Sequence, residues 1–261
     1  MWPFDTLRRQ RILRQHRLEE APWRQALAHH PILGRLAPGE SERLRELSTL
    51  FLHEKLFEPV RGMQLDLPMQ ASIAVQACLP ILNLGMEWYD DWRTVVVYEA
   101  EFVSPRRQID AIGVMHEWSE VLSGESWGRG PVILSWNDVE ASGWGDGYNV
   151  VIHEMAHKLD MRNGDADGFP PLHRSMNSRD WHTAFSSAYA DMSRRVDHGE
   201  LTQIDEYATE SPAEFFAVVS ECFFEQPGLL LREYPLVYRQ LVEFYRQNPA
   251  QCDDQNQATV R

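Results

Sequence analysis

The sequence predicts an α+β fold with more helix than sheet. Residues 40–51, 69–82, 150–161, 180–196, 211–224 and 236–247 read as helices, most with apolar side chains at helical spacing. Only two short runs, 94–98 and 131–136, have the β-branched and aromatic content of strands. At 261 residues and 43% hydrophobic content, the chain can bury a full core, as one domain or as a catalytic domain with a helical appendage.

Taken in order, residues 1–17 form a basic arm, with five Arg against Asp5, on a chain whose formal charge is −14. Such an arm is expected to fold back on its own acidic body or on a partner. Trp2, Phe4, Leu7 and Leu13 would allow a membrane-surface helix, but a solvated helix is the default. Leu44, Leu47 and Phe51 mark the buried face of the next helix. The prolines from Pro59 to Pro68 suggest a boundary between an N-terminal helical region, 1–65, and a catalytic domain, 66–250, with 251–261 as a flexible tail. The run at 131–136 is β-prone. As an edge strand, Ile133, Leu134, Ser135 and Trp136 would bind an extended peptide by strand addition; the alternative is an ordinary core strand. Gly143, Gly145 and Gly147 make a flexible loop expected to border a cleft.

Chemistry concentrates in His153-Glu154-Met155-Ala156-His157. Histidines four residues apart lie one helical turn above each other, so both imidazoles can reach one ion. Glu154 is offset by about 100°, within reach of a metal-bound water and outside the coordination shell. Val150, Val151, Ile152, Met155, Ala156 and Leu159 require this helix to be buried, where two histidines and a glutamate need partners. Zinc supplies one. A similar string, His116-Glu117-Trp118-Ser119-Glu120, ends in Glu within a strand or turn and is set aside as a metal site.

The third ligand defines the kind of site. Asp160 lies about 10 Å along the axis from His153, too far to share an ion, and is expected behind the ligands or at the surface. Six residues after His157 stands Asn163, which with Gly164 reads as a helix stop. The stretch from Asn163 to Gly168 also begins like a calcium loop, but Arg174 occupies the position where a bidentate Glu is needed. A glutamate from another helix remains. Glu214, in Ser211-Pro212-Ala213-Glu214, is the choice, although a capping box would also explain it. Glu221 lies seven residues further on the same face, placed to orient a ligating histidine.

Trp136, the stretch from His153 through Met161, Asn163-Gly164-Asp165, Tyr207-Ala208 and Ser211-Pro212-Ala213-Glu214 resemble the Mlc titration factor A family of bacterial zinc peptidases. The likeness spans most of the chain and is densest over residues 131–226. It implies a mostly helical, zincin-like domain with a small mixed sheet, similar in its catalytic core to the anthrax lethal factor protease domain. It also implies His153, His157 and Glu214 as ligands of one Zn²⁺, Glu154 as general base and Tyr207 as an electrophilic helper. Aminopeptidase-type activity and binding of the glucose repressor Mlc are further implications, so a regulator that sequesters a transcription repressor, with zinc structural, stands as the alternative to an enzyme.

A zinc ion with three protein ligands would lower the pKa of its water to about 7 and polarise a scissile carbonyl, while Glu154 would move the proton from water to the leaving amine. The charge argues against nucleic acid as a direct ligand. Cys78, Cys222 and Cys252 have neither zinc-pair nor disulfide-framework spacing. With no signal-peptide pattern and no transmembrane run, a cytoplasmic protein without membrane contact is expected.

Overall fold

The computed structural model describes residues 3–60, 62–100, 102–109, 115–122, 124–126 and 130–251, with backbone alone for 3–6, 102–109, 115–122 and 125–126. Helices dominate, as the periodicity predicts. In chain order the elements are α1 (Pro3–Gln15), α2 (Glu20–His29), α3 (Pro38–Glu54), β1 (Leu56–Pro59), α4 (Leu67–Cys78), β2 (Thr94–Tyr98), β3 (Phe102–Ile109) and β4 (Met115–Leu122). Then follow β5 (Gly124–Ser126), β6 (Val132–Ser135), α5 (Trp136–Ala141), α6 (Val150–Asp160), α7 (Ser178–Asp197), α8 (Pro212–Glu225), α9 (Pro227–Glu233) and α10 (Pro235–Tyr245). Several helices begin where a proline fits the first turn, which lacks internal N–H partners: Pro38, Pro68, Pro212 and Pro235 each serve this way.

One mixed sheet has the order β1-β2-β6-β5. β1, β2 and β6 run parallel, and β5 returns antiparallel to β6, pairing Gly124 with Leu134 and Ser126 with Val132. β3 and β4 form a separate antiparallel ribbon. This corrects the edge-strand expectation. β6 is hydrogen-bonded to β2 on one side and β5 on the other, so Ile133, Leu134 and Ser135 are core-strand residues and Trp136 opens α5. The three residues Gly124-Glu125-Ser126 carry no strand signature of their own, because β-propensity reflects packing and these residues have little to pack.

The core is continuous across the boundary suggested near residue 65. β1 belongs to the N-terminal segment, yet it pairs with β2 in register Leu56 to Thr94. Phe51 of α3 meets Tyr89 and Trp92 edge-on, at ring separations of 6.3 and 5.9 Å. Lys55 buries its stem there, donating to Trp92 O at 2.7 Å with Nζ 3.8 Å from the Trp92 ring centre, and burial pulls its pKa down to about 8. The basic arm folds back on the acidic body, Arg9 reaching Glu54 and Asp90 and Arg17 reaching Glu42. A second aromatic cluster joins α7, α8 and α10, with Trp181 stacked on Phe185 at 4.1 Å and Phe244 beside both Trp181 and Phe216. It fixes α8 against its neighbours. Among the described residues, no helix is long and apolar enough to cross a membrane.

Candidate metal centre

α6 is held at its start by polar side chains. Asn149 caps it, accepting from the Ile152 N–H at 2.9 Å, and its own amide donates to Gln76 and Glu225. The Asn149 N–H donates to Glu221 Oε2 at 2.5 Å. These contacts tie α6 to α4 and α8 and set its rotation. The result is that His153 and His157 share one face, with Nε2 atoms 3.2 Å apart.

α8 brings the carboxylate. Ser211 caps it, its Oγ accepting from the Glu214 N–H at 3.1 Å, so half of the expected capping box forms. The Glu214 side chain goes to the histidines instead, placing Oε2 3.0 Å from His153 Nε2 and 3.3 Å from His157 Nε2. Among the described residues, these three make the one group of histidine, cysteine or acidic side chains able to hold a metal.

Their geometry fits zinc. Bonds of about 2.0–2.1 Å at a tetrahedral ion put ligand atoms roughly 3.3–3.4 Å apart. The three edges observed are 3.0, 3.2 and 3.3 Å. Glu221 Oε1 sits 2.8 Å from His153 Nδ1, which places a proton on Nδ1 and a lone pair on Nε2. His157 Nδ1 is buried without a hydrogen-bond partner. With both rings neutral and their protons on Nδ1, the two Nε2 lone pairs and the Glu214 carboxylate would converge on a shared point, an arrangement that a cation relieves. Burial opposes charge on His153, but Glu214 and Glu221 outweigh it and hold its pKa well above the usual histidine range, so a proton on Nε2 competes with a cation for that lone pair. Burial likewise works to raise the Glu214 pKa, and the two histidines override it, holding the carboxylate well below its ordinary range.

Around the ligands, buried carboxylates position backbone. Glu221 bridges His153 and the N-cap of α6, and burial raises its pKa. Glu225 accepts from Asn149 and from the Gly145 N–H at 2.6 Å, and burial lifts its pKa to about 7. Asp160, fully buried, accepts from the Gly168 N–H at 2.7 Å, with its pKa raised by burial to about 6. Gly168 has φ +79° and lies so close to the Pro212 carbonyl that a Cβ there would collide with it. Asp160 thus supports the loop that braces the start of α8.

A cleft of about 850 Å³ opens over His153, His157 and Glu214. Glu154 lines it, 3% exposed, and Tyr207 stands at its rim, 42% exposed with its ring 6.1 Å from that of His153. The glycine loop does border the cleft, through Asp146, Gly147 and Tyr148. None of Ile133, Leu134, Ser135 or Trp136 lines it; Gly124 of β5 does. No lysine or arginine is among the described lining residues. The string at 116–120 lies on β4, and its side chains fall outside the described residues.

Three residues were not singled out from sequence. Asn149 had a signal, an asparagine directly before an apolar helix. Glu225 stands four residues after Glu221 on the same helical face, a spacing that could have pointed to it. Gly124 had none, because its importance arises from what packs above it.

Comparison with known proteins agrees with this geometry. Residues 4–246 match the family described as "Glucose-regulated metallo-peptidase M90". A protein of Klebsiella pneumoniae (strain 342) named "Mlc titration factor A" is 41% identical over 234 residues, covering 89% of this chain and 88% of its own length. Proteins of the same name from Escherichia fergusonii and Salmonella schwarzengrund are each 41% identical, over 233 and 235 residues, with 88% of both chains and 89% and 88% covered. With the match spanning nearly the whole described chain, this protein belongs to the glucose-regulated metallopeptidase family M90.

Proposed function

We propose that the chain is a zinc-dependent peptidase acting at or near the N-terminus of peptides, with residues 66–250 as its catalytic unit. The observation that carries this reading is the triangle of His153, His157 and Glu214 set beneath a cleft that also contains Glu154. Bound there, zinc would supply a Lewis acid that polarises a carbonyl and lowers the pKa of water to about 7.

The chain's own residues do the rest. His153, His157 and Glu214 hold the ion, and Glu221 fixes the tautomer and orientation of His153. Glu154 takes a proton from the attacking water at its carboxylate and passes it to the departing amine nitrogen. Tyr207, at the rim beside His153, donates a hydrogen bond to the developing oxyanion. β5 pairs with β6 on one side, and its other edge offers backbone groups to an extended peptide, a role first expected of β6. Asp146 and Asp205 line the cleft, and no lysine or arginine is among its described lining residues, which favours an ammonium end of a peptide over a carboxylate end.

Amino-acid chromogenic amides, with and without a chelator, test the activity. Glu154→Gln should abolish turnover while zinc content is unchanged. Persistent turnover in that variant would remove Glu154 as the base.

The relatives' name favours a second reading, in which the chain binds the repressor Mlc in the cytoplasm and zinc is structural. Binding of purified Mlc by the Glu154→Gln variant, with peptidase activity gone, would show that the two roles separate.

A further inference from the structure

A close backbone approach to Glu154 comes from a strand that sequence patterning misses. Gly124 lies in β5 opposite Leu134 and lines the cleft. A Cβ built on it would fall 2.5 Å from Glu154 Oε1, 2.8 Å from Cγ and 2.9 Å from Cδ. Real Cβ atoms essentially never come so near another heavy atom, so an alanine at 124 and Glu154 as placed are mutually exclusive. Something must shift.

Which group would shift follows from the surroundings. Gly124 does not have the positive φ that would bar a side chain, so alanine suits its backbone and its strand. All three nearest atoms belong to the Glu154 side chain, which can turn about its own torsions, whereas β5 is held by its pairing with β6. A methyl at 124 would therefore displace the carboxylate and leave the sheet in place. The backbone of α6 would also stay, anchored by Asn149 and buried on its other faces. The histidines would keep their positions.

We propose that Gly124 is a positioning residue for the reaction: the missing side chain is what lets the Glu154 carboxylate lie beneath β5, over the cleft floor. This rests on the reading of Glu154 as the base, and it adds the reason that β5 must carry glycine at this point. Misplacing a catalytic group by about 1 Å can cost on the order of 100-fold in rate.

The test compares Gly124→Ala, Glu154→Gln, Glu154→Asp, whose acid is one methylene shorter, and Gly124→Ala combined with Glu154→Asp, whose loss is set against those of Gly124→Ala and Glu154→Asp alone. For Gly124→Ala the expected result is a kcat lower by about 30- to 100-fold, KM within about twofold, and unchanged zinc content and Tm. In a crystal structure of that variant, the Glu154 carboxylate should stand at least about 1 Å from its wild-type place. The double variant should lose less than the product of the two single losses, because the shorter acid already vacates the contested space. Unchanged kcat and carboxylate position in Gly124→Ala would overturn the proposal, as would a parallel loss of zinc or Tm, which would make Gly124 a structural residue. If instead Glu154→Gln keeps full turnover, the assignment of the base fails. In that case a displaced carboxylate in the Gly124→Ala crystal would still establish the steric relation, without a catalytic meaning.

Discussion

Two buried histidine settings sit on either side of the glycine loop, and they make opposite demands. His30, at the end of α2, is fully buried, with Nε2 2.6 Å from Ser72 Oγ and Nδ1 3.0 Å from Ser142 O. A hydroxyl can donate or accept, so a neutral imidazole satisfies both contacts. Burial drives its pKa down to about 4. His153 and His157 face each other and a carboxylate oxygen, none of which supplies a proton to the shared point when both rings are neutral and protonated at Nδ1. The difference teaches that burial does not mark a candidate metal site; several nitrogen and carboxylate atoms converging on one point, where one cation could be shared, do.

Glu154→Gln should break the metal side hardest, removing roughly 100- to 10,000-fold of kcat with zinc retained, as measured on a chromogenic amide. The same change can have no counterpart at His30, which lines no part of the cleft. Glu214→Ala comes next. It leaves two histidines and should bring zinc content after dialysis well below one per chain, with the fold intact by circular dichroism. Undiminished zinc would return Glu214 to a capping role.

His30→Ala should act in the other currency, costing about 2–3 kcal/mol of stability by orphaning the Ser142 carbonyl and leaving a void, with zinc content unchanged. Its pH dependence has a definite sign. The folded pKa, about 4, lies below the ordinary 6.5, so the neutral ring's contribution is complete above about pH 6.5 and is lost as pH falls toward 4. The shift corresponds to at most about 3 kcal/mol. Denaturant melts between pH 7.5 and 4.5 should show the gap between wild type and variant narrowing as acid is added; a constant gap would mean that His30 is not held neutral. Glu221→Gln is the smallest of the four, weakening zinc affinity by about 10- to 100-fold in competition with a chelating dye.

Much of this contrast was legible in the sequence. The spacing of His153 and His157 fixes their shared face once the segment is a helix, and the apolar residues between them force that helix inside. Glu214 and Glu221 could be chosen because two carboxylates seven apart on an otherwise apolar helix need partners. The predicted spans 94–98 and 180–196 match β2 and α7 to within two residues. What escaped was set by long-range packing. β1 and β5 are short, with few β-branched residues, and exist because β2 and β6 offer them hydrogen-bonding edges. The short α9 opens on a proline and has few turns to show a period. His30 could not be distinguished from a ligand by its local sequence, since Ser72 and Ser142 reach it from far along the chain.

Anomalous scattering at the zinc edge, from crystals grown with zinc, addresses the heart of the matter. A single peak is expected among His153 Nε2, His157 Nε2 and the Glu214 carboxylate, about 2.0–2.2 Å from each, with the fourth direction open to the cleft. No peak there at full zinc supply, or a peak bound by other side chains, would contradict it.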